Sequence, residues 1–341
     1  MNRDRFLARD RRPATPGALD GLTFAVAGAG RVGSSLARWA VAAGARLVRV
    51  AVHRRRDGAE ALARDLGGAD DAVELIALDE LSSAGLGLLL VAVSDPALDA
   101  VAQGLARRPQ AAVALHTAGA RGASALAPLA AAGAPDGGTT VATAVGTVHP
   151  LKAFPHVLAD PAAAHGVTFA VDGEPPARAL AERLARAWGG VPQRVPETQR
   201  DLYHLAATLA AGGVVTMLAA AERVARAAGL ERPVLDGYLE LARGAVAGAG
   251  EELAAGGSFA AAITGPAVRG DRGTVQRQLA ALATVDRGVA ELAAEVARQA
   301  LAALAAAGSA TPGQRDLARF LATWKAADAG PAAGDSTPGV C

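Results

Sequence analysis

Three of the six histidines in this 341-residue chain stand where chemistry can gather. His116 closes an apolar run in Leu115-His116-Thr117-Ala118-Gly119. His149 closes another in Thr147-Val148-His149-Pro150-Leu151-Lys152, and His204 follows Tyr203 at the start of a long helical pattern. Strand ends and the first turns of the next domain's helix are expected to converge on one cleft, the usual place for a small substrate. An imidazole, phenol or ammonium there can donate a proton to a carbonyl oxygen or stabilise its charge. Lys152 is one of two lysines among 34 basic side chains, and it could pair with a substrate carboxylate or donate to a developing alkoxide. The plain alternatives are a satisfied structural histidine and a solvated lysine. The histidine spacing matches no metal motif, so no metal is expected. A Gly/Pro-rich turn, Ile263 to Thr274, adds Thr264, Arg269 and Asp271. Arg269 suits a carboxylate clamp, and Asp271 suits either the cleft or a helix cap.

A reductase built on such groups needs a hydride donor, and the chain offers a place for one. Phe24-Ala25-Val26-Ala27-Gly28-Ala29-Gly30-Arg31-Val32-Gly33 follows an apolar strand and opens a helix, the context that a dinucleotide fingerprint requires. Gly28 makes the tight turn, Gly30 lets backbone N–H groups approach a pyrophosphate, and Gly33 packs helix on strand. The backbone of Ala29, Arg31 and Val32 completes the cradle at the helix N-terminus. An NAD site would place a carboxylate about 20 residues on. Here His53 stands at that place, followed by Arg54 and Arg55, whose guanidinium forks suit a 2′-phosphate and so NADP(H). Val93-Ser94-Asp95-Pro96 ends a further strand. Ser94 or Asp95 reads as a helix cap, with the Val93 and Ser94 backbone lining the nicotinamide pocket.

These groups require a sheet to carry them. From Leu22 to about Val171, near-continuous apolar runs (22–27, 46–52, 86–93, 111–115, 140–148 and 167–171) alternate with helical patterns (32–43, 58–66, 96–106 and 122–132). That is the pattern of a parallel sheet covered on both faces. After Gly173 a helix, 175–188, and a short edge strand, 191–195, lead into long helical patterns at 197–228, 233–255, 274–307 and 312–327. The expectation is an α/β protein: an arm (1–20), a Rossmann dinucleotide-binding domain (21–172), a mostly α-helical domain (173–328) and a frayed tail (329–341).

Composition narrows the class. Basic and acidic side chains number 34 and 33, which argues against nucleic acid or an anionic membrane held by bulk charge. The single Cys, Cys341, excludes a disulfide framework and a Cys-based zinc site. The basic start lacks an apolar core, so it does not read as a secretory signal. Charges interrupt the Ala-rich stretches, so none reads as a membrane span. A cytoplasmic protein is expected, with a small-molecule substrate and a homodimer through the C-terminal helices.

The Gly28-x-Gly30-x-x-Gly33 start, His116-Thr117-Ala118-Gly119, His149-Pro150-Leu151, Tyr203-His204 and Thr264-Gly265-Pro266 with Arg269-Gly270-Asp271 together resemble bacterial proteins with a Rossmann-like domain followed by DUF2520. The resemblance spans roughly residues 21–310. It implies kinship with pyrroline-5-carboxylate reductases, F420-dependent NADP reductases and the 6-phosphogluconate-dehydrogenase-like group. Some such proteins are ketopantoate reductases of the PanG type, which implies NADPH-dependent reduction of a small 2-oxo acid. An imine reductase and a non-catalytic NADP(H)-binding regulator are the alternatives. Two positions depart from the pattern. Lys152 stands where relatives often carry Gln, and Ala210-Ala211-Gly212-Gly213 where they often carry Asn.

Overall fold

The computed structural model describes residues 15–52, 56–68, 72–108, 110–131, 142–308 and 310–328. In chain order the elements are β1 (Thr23–Ala27), α1 (Arg31–Ala42), β2 (Arg46–Val52), α2 (Arg56–Leu66), β3 (Glu74–Ala77), β4 (Leu88–Val91), α3 (Leu98–Leu105), β5 (Val113–His116), α4 (Ala127–Ala130), β6 (Ala144–Pro150), β7 (Thr168–Gly173), α5 (Pro175–Ala187) and β8 (Val191–Arg194). They are followed by α6 (Arg200–Thr208), α7 (Val214–Ala227), α8 (Arg232–Ala254), α9 (Arg272–Val285), α10 (Arg287–Ala306) and α11 (Pro312–Thr323). Contacts divide the chain into two compact units, one running to Ala211 and the other from Gly212.

The first unit is an eight-stranded sheet in the order β3-β2-β1-β4-β5-β6-β7-β8. Alternation along each strand divides the core. Phe24 and Val26 of β1 pack with Leu36, Trp39 and Trp188 on one face, while Ala25 and Ala27 pack with Leu89, Leu98 and Leu126 on the other. Both faces are dry, which is why the strands read as unbroken apolar runs.

Several expectations change. β3 was not anticipated: Glu-Leu-Ile-Ala is a short edge strand, exposed at Glu74 and Leu75, and its alternation is weak. The sheet is not wholly parallel, because β7 runs antiparallel to β6. Parallel neighbours need a crossover long enough to return to the starting edge of the sheet. The connection after Pro150 instead lies along α1. The Ser35 hydroxyl accepts from the Leu158 N–H (2.8 Å), Trp39 Nε1 donates to the Leu158 carbonyl (2.9 Å) and Arg31 donates to the Pro155 carbonyl (3.2 Å). The chain therefore re-enters at the edge it left. β8 pairs with β7, so the sheet unit extends past the boundary expected at residue 173. Within the expected arm, the Thr15 N–H bonds to the Ala187 carbonyl at 3.1 Å, and Leu19 is fully buried with its N–H on the Ala43 carbonyl at 2.9 Å. The helix expected over 122–132 is a 3-10 turn, Ala123–Leu126, followed by the short α4.

The stretch expected as one helix over 197–228 opens with a 3-10 turn at Glu197–Gln199 and widens to a π turn at Leu209–Gly213, where Gly212 and Gly213 stand. By length and composition alone Glu197–Ala227 could cross a membrane, its most apolar 18-residue window having a mean hydropathy of 1.6, contrary to the reading that charges interrupt every such stretch. Leu205 to Ala221 holds no charge. Its first turn, however, is folded onto the sheet through the fully buried Arg200.

The second unit is helical. Val275, Leu279, Ala294, Leu301, Leu317 and Leu321 of α9, α10 and α11 form its core. Asp286 separates α9 from α10 and caps the latter by accepting from the Val289 N–H at 3.0 Å. A capping box between Thr311 and Gln314 opens α11.

Candidate active site

β1, β4, β5 and β6 run parallel, so Gly28, Val93, His116 and His149 all leave the sheet at its carboxyl edge. In open α/β sheets this edge is where ligands bind.

At β1 the three glycines do different work. Gly28 has φ +102°, and a Cβ there would lie 2.6 Å from the Ala92 carbonyl oxygen and 3.2 Å from Val93 Cγ1. A Cβ on Gly33 would overlap the Gly28 carbonyl and come within 2.9 Å of Ala92 Cβ, so helix α1 sits on the turn only because residue 33 has none. A Cβ on Gly30 would meet nothing within 4 Å, leaving its face open. Helix α1 starts there without a side-chain cap and without an acidic residue in its first turn. Uncapped N–H groups, positive helix end and open face fit a pyrophosphate. Ala29, Arg31 and Val32 lie in this turn, with Arg31 exposed and tied to Pro155. Beside it a cavity of about 600 Å³ is lined by Leu78, Asp79, Val93, Ser94, Ala97 and Val101. Ser94 occupies the N-cap position of a 3-10 turn, but its side chain makes no capping bond and faces solvent. His53, Arg54 and Arg55 lie outside the described residues.

The histidines separate into two kinds. His116 is fully buried, with Nε2 donating to the Gly122 carbonyl (2.8 Å) and Nδ1 accepting from the Ala118 N–H (3.2 Å). Burial pushes its pKa down to about 4, with Arg200 and Arg121 acting in the same direction against the Gly122 bond. With both nitrogens committed to backbone, His116 shapes the loop after β5 and has no proton to offer a substrate. That corrects the catalytic role expected for it. Glu197 fastens the same loop from outside, accepting from the Ser124 hydroxyl and, at 3.3 Å, from the Ser124 N–H.

His149 and His204 remain available. His149 Nδ1 shares a 2.8 Å hydrogen bond with the Tyr203 hydroxyl, and the two rings meet edge to face at 5.6 Å. His204 lies 6.1 Å from His149, centroid to centroid. Gly119 makes the approach possible: a Cβ there would lie 2.8 Å from His149 Nε2 and 3.0 Å from His204 Nε2, so both nitrogens converge on one point. Neither Nε2 has a hydrogen-bond partner among the described residues. Burial pushes the His149 pKa down to about 4, reinforced by Arg200, His204 and His116. Burial raises the Tyr203 pKa, and Arg200 opposes it.

Arg200, which the sequence reading missed, underlies this pair. Nε donates to the Val195 carbonyl at 3.2 Å and Nη2 to the Thr147 hydroxyl, while Nη1 is buried without a partner. Its Cζ sits 5.9 Å from the Tyr203 ring centroid. The available signal was spacing, since Arg200, Tyr203 and His204 share one helix face and Thr147 and His149 share one strand face.

The other expected residues fall elsewhere. Lys152 is exposed, and its side chain has no partner among the described residues. Thr264, Arg269 and Asp271 belong to the second unit. Thr264 and Arg269 are exposed, whereas Asp271 caps α9 by accepting from the Thr274 N–H at 3.0 Å, which lowers its pKa. Capping is the alternative role that the sequence offered for it.

Residues 14–136 match the Rossmann-like domain, and residues 167–305 match DUF2520, a domain of unknown function. The chain is a Rossmann-like plus DUF2520 protein, as its motifs suggested. No curated protein matches it in sequence. Among solved structures, a candidate NADP oxidoreductase from Bacteroides fragilis superposes with a TM-score of 0.63 at 21% identity, covering 83% of this chain and 98% of that one. A Thermotoga maritima protein gives 0.60 at 19% identity, over 87% of this chain and 98% of that one. An NADH-preferring ketol-acid reductoisomerase from an uncultured archaeon gives 0.50 at 15%, over 88% of each. These likenesses show the fold.

Proposed function

We propose that the protein is an NADP(H)-dependent oxidoreductase that reduces a small 2-oxo acid. The observation that carries this reading is the placement, on one carboxyl edge of one sheet, of an uncapped glycine turn and a His149–Tyr203 pair. Gly28, Gly30 and Gly33 with the α1 N-terminus would hold the dinucleotide, with the cavity beside Val93 and Ser94 taking part of it. When bound, the cofactor supplies a hydride. His149, oriented by Tyr203 and flanked by His204, donates the proton to the substrate oxygen. Lys152, the exposed cation next to this strand end, pairs with the carboxylate. The preference for NADP(H) rests on Arg54 and Arg55 in the sequence.

The test is oxidation of NADPH, with NADH as control, against ketopantoate, other 2-oxo acids and cyclic imines. Turnover on 2-oxo acids, lost in His149→Ala and weakened chiefly in KM in Lys152→Ala, supports the reading. Turnover on imines alone makes the protein an imine reductase. Tight NADPH binding with no turnover on any substrate makes it a nucleotide-binding regulator.

A further inference from the structure

We propose that Arg200 is a positioning residue that makes Tyr203 and His149 a two-step proton relay, by holding the phenol against the imidazole and stabilising the phenol once it has lost its proton. The inference rests on the reductase reading above and deepens it.

The geometry has two rungs between β6 and α6. Thr147 and His149 lie two residues apart on one side of β6, while Arg200 and Tyr203 lie three apart on one side of α6. Thr147 pairs with Arg200, and His149 pairs with Tyr203. The guanidinium is fully buried, fixed by the Val195 carbonyl and the Thr147 hydroxyl, and lies against the Tyr203 ring. A cation so placed opposes a second positive charge on His149 and favours a negative one on Tyr203. The groups facing His149 are Tyr203, His204 and Arg200 from α6 and His116 from β5; Asp172 and Glu197 act on Arg200.

This arrangement resolves a difficulty in the simpler scheme. At neutral pH His149 is uncharged, so it cannot act as an imidazolium acid. In the relay the His149 Nε2–H bond breaks and its proton goes to the oxygen of the alkoxide formed by hydride addition. The electron pair of that bond stays on the ring, Nδ1 takes the Tyr203 proton, and the phenolate electron pair remains on Oη beside Arg200. Solvent then returns one proton to the pair. No oxidant is consumed beyond the substrate and no reductant beyond the reduced nicotinamide.

The full-length protein is assayed with NADPH and its best 2-oxo acid. Arg200→Gln should lower kcat by roughly 10²-fold with KM little changed, and Arg200→Lys should restore most of it. Tyr203→Phe should lose a similar factor at neutral pH and recover as the pH falls towards 4–5, where His149 itself carries a proton to give; the wild type shows no such acid recovery. Equal kcat losses in both Arg200 variants, or a pH-independent loss in Tyr203→Phe, would overturn the relay. Ultraviolet titration of the phenols tests Arg200 without any substrate. The chain has two tyrosines, so the Tyr203→Phe spectrum isolates Tyr203. Its pKa should rise in Arg200→Gln, and an unchanged value refutes the charge role. If Arg200→Gln does not fold, Tyr203→Phe still decides through its pH profile. Absence of turnover in the wild type would count against the reductase reading, while the titration would still report on Arg200.

Discussion

Gly119→Ala is the sharpest probe of the candidate active site. Gly119 is not among the glycines with positive φ, so alanine can keep the backbone as it is. The new Cβ would lie 2.8 Å from His149 Nε2 and 3.0 Å from His204 Nε2, where ordinary contacts fall at 3.4–4 Å. The ring edges must then retreat by roughly half an ångström to one ångström, and His149 cannot swing freely because Tyr203 holds its other nitrogen at 2.8 Å. Overpacking of this kind costs about 1–3 kcal/mol. That lowers the melting temperature by a few degrees in a unit of about 200 residues. A displacement approaching 1 Å at a proton donor can cost ~10²-fold in rate. The expected outcome is a folded protein whose kcat for NADPH oxidation falls by roughly 10–100-fold. The same kcat as wild type, with a melting temperature showing that the methyl group is accommodated, would refute the idea that the His149 and His204 edges form the reacting centre.

Further expectations follow from the same geometry. Gly30→Ala should leave the melting temperature unchanged and weaken NADPH binding at least about 10-fold, whereas Gly33→Ala, which collides with the Gly28 carbonyl, should lower both stability and binding; calorimetric titration and melting separate the two. His116 has a pKa near 4 in the fold against an ordinary value near 6.5, so the unfolded chain binds the proton more readily between these values. Its contribution is complete above pH 6.5 and lost as the pH falls to 4, an effect of up to about 3 kcal/mol; a melting series should show a fall to which His149 adds over the same range, and His116→Gln should remove the His116 share and leave the rest. Leu202, Leu205 and Leu209 are 74%, 55% and 64% exposed, an apolar stretch suited to the homodimer expected from the sequence. Leu205→Glu with Leu209→Glu should shift the mass measured by light scattering from dimer to monomer, and a wild-type monomer would end that proposal.

What the sequence made legible was what depends on local demands. Gly28, Gly30 and Gly33 could be assigned separate tasks because a tight turn, an open face and a helix–strand contact each exclude a side chain for a different reason. His149 and His204 were visible as a strand end and a helix start. Other features depend on long-range pairing. The reversal of β7 follows from where the segment after Pro150 attaches, which no strand pattern encodes. β3 escaped notice because an edge strand buries too little to alternate. Arg200 was hidden by composition: in a chain with so many arginines, nothing in the residue itself separates a buried, sheet-bound guanidinium from a solvated one. Only its spacing to Tyr203 could have marked it. His116 looked the same as His149 in sequence, and the carbonyl of Gly122 makes the difference.

The segment after His149 works as a ruler. One end is fixed where β6 closes at Pro150, and the other where Leu158 is gripped by Ser35 and Trp39 on α1. A residue removed from between them would pull Leu158 off the helix or Pro150 out of the sheet. Either slip would change the span between the strand that carries His149 and the helix that begins at Gly30. The length of this stretch, more than the identity of its exposed residues, lets the loop span the distance that the sheet sets between β6 and α1.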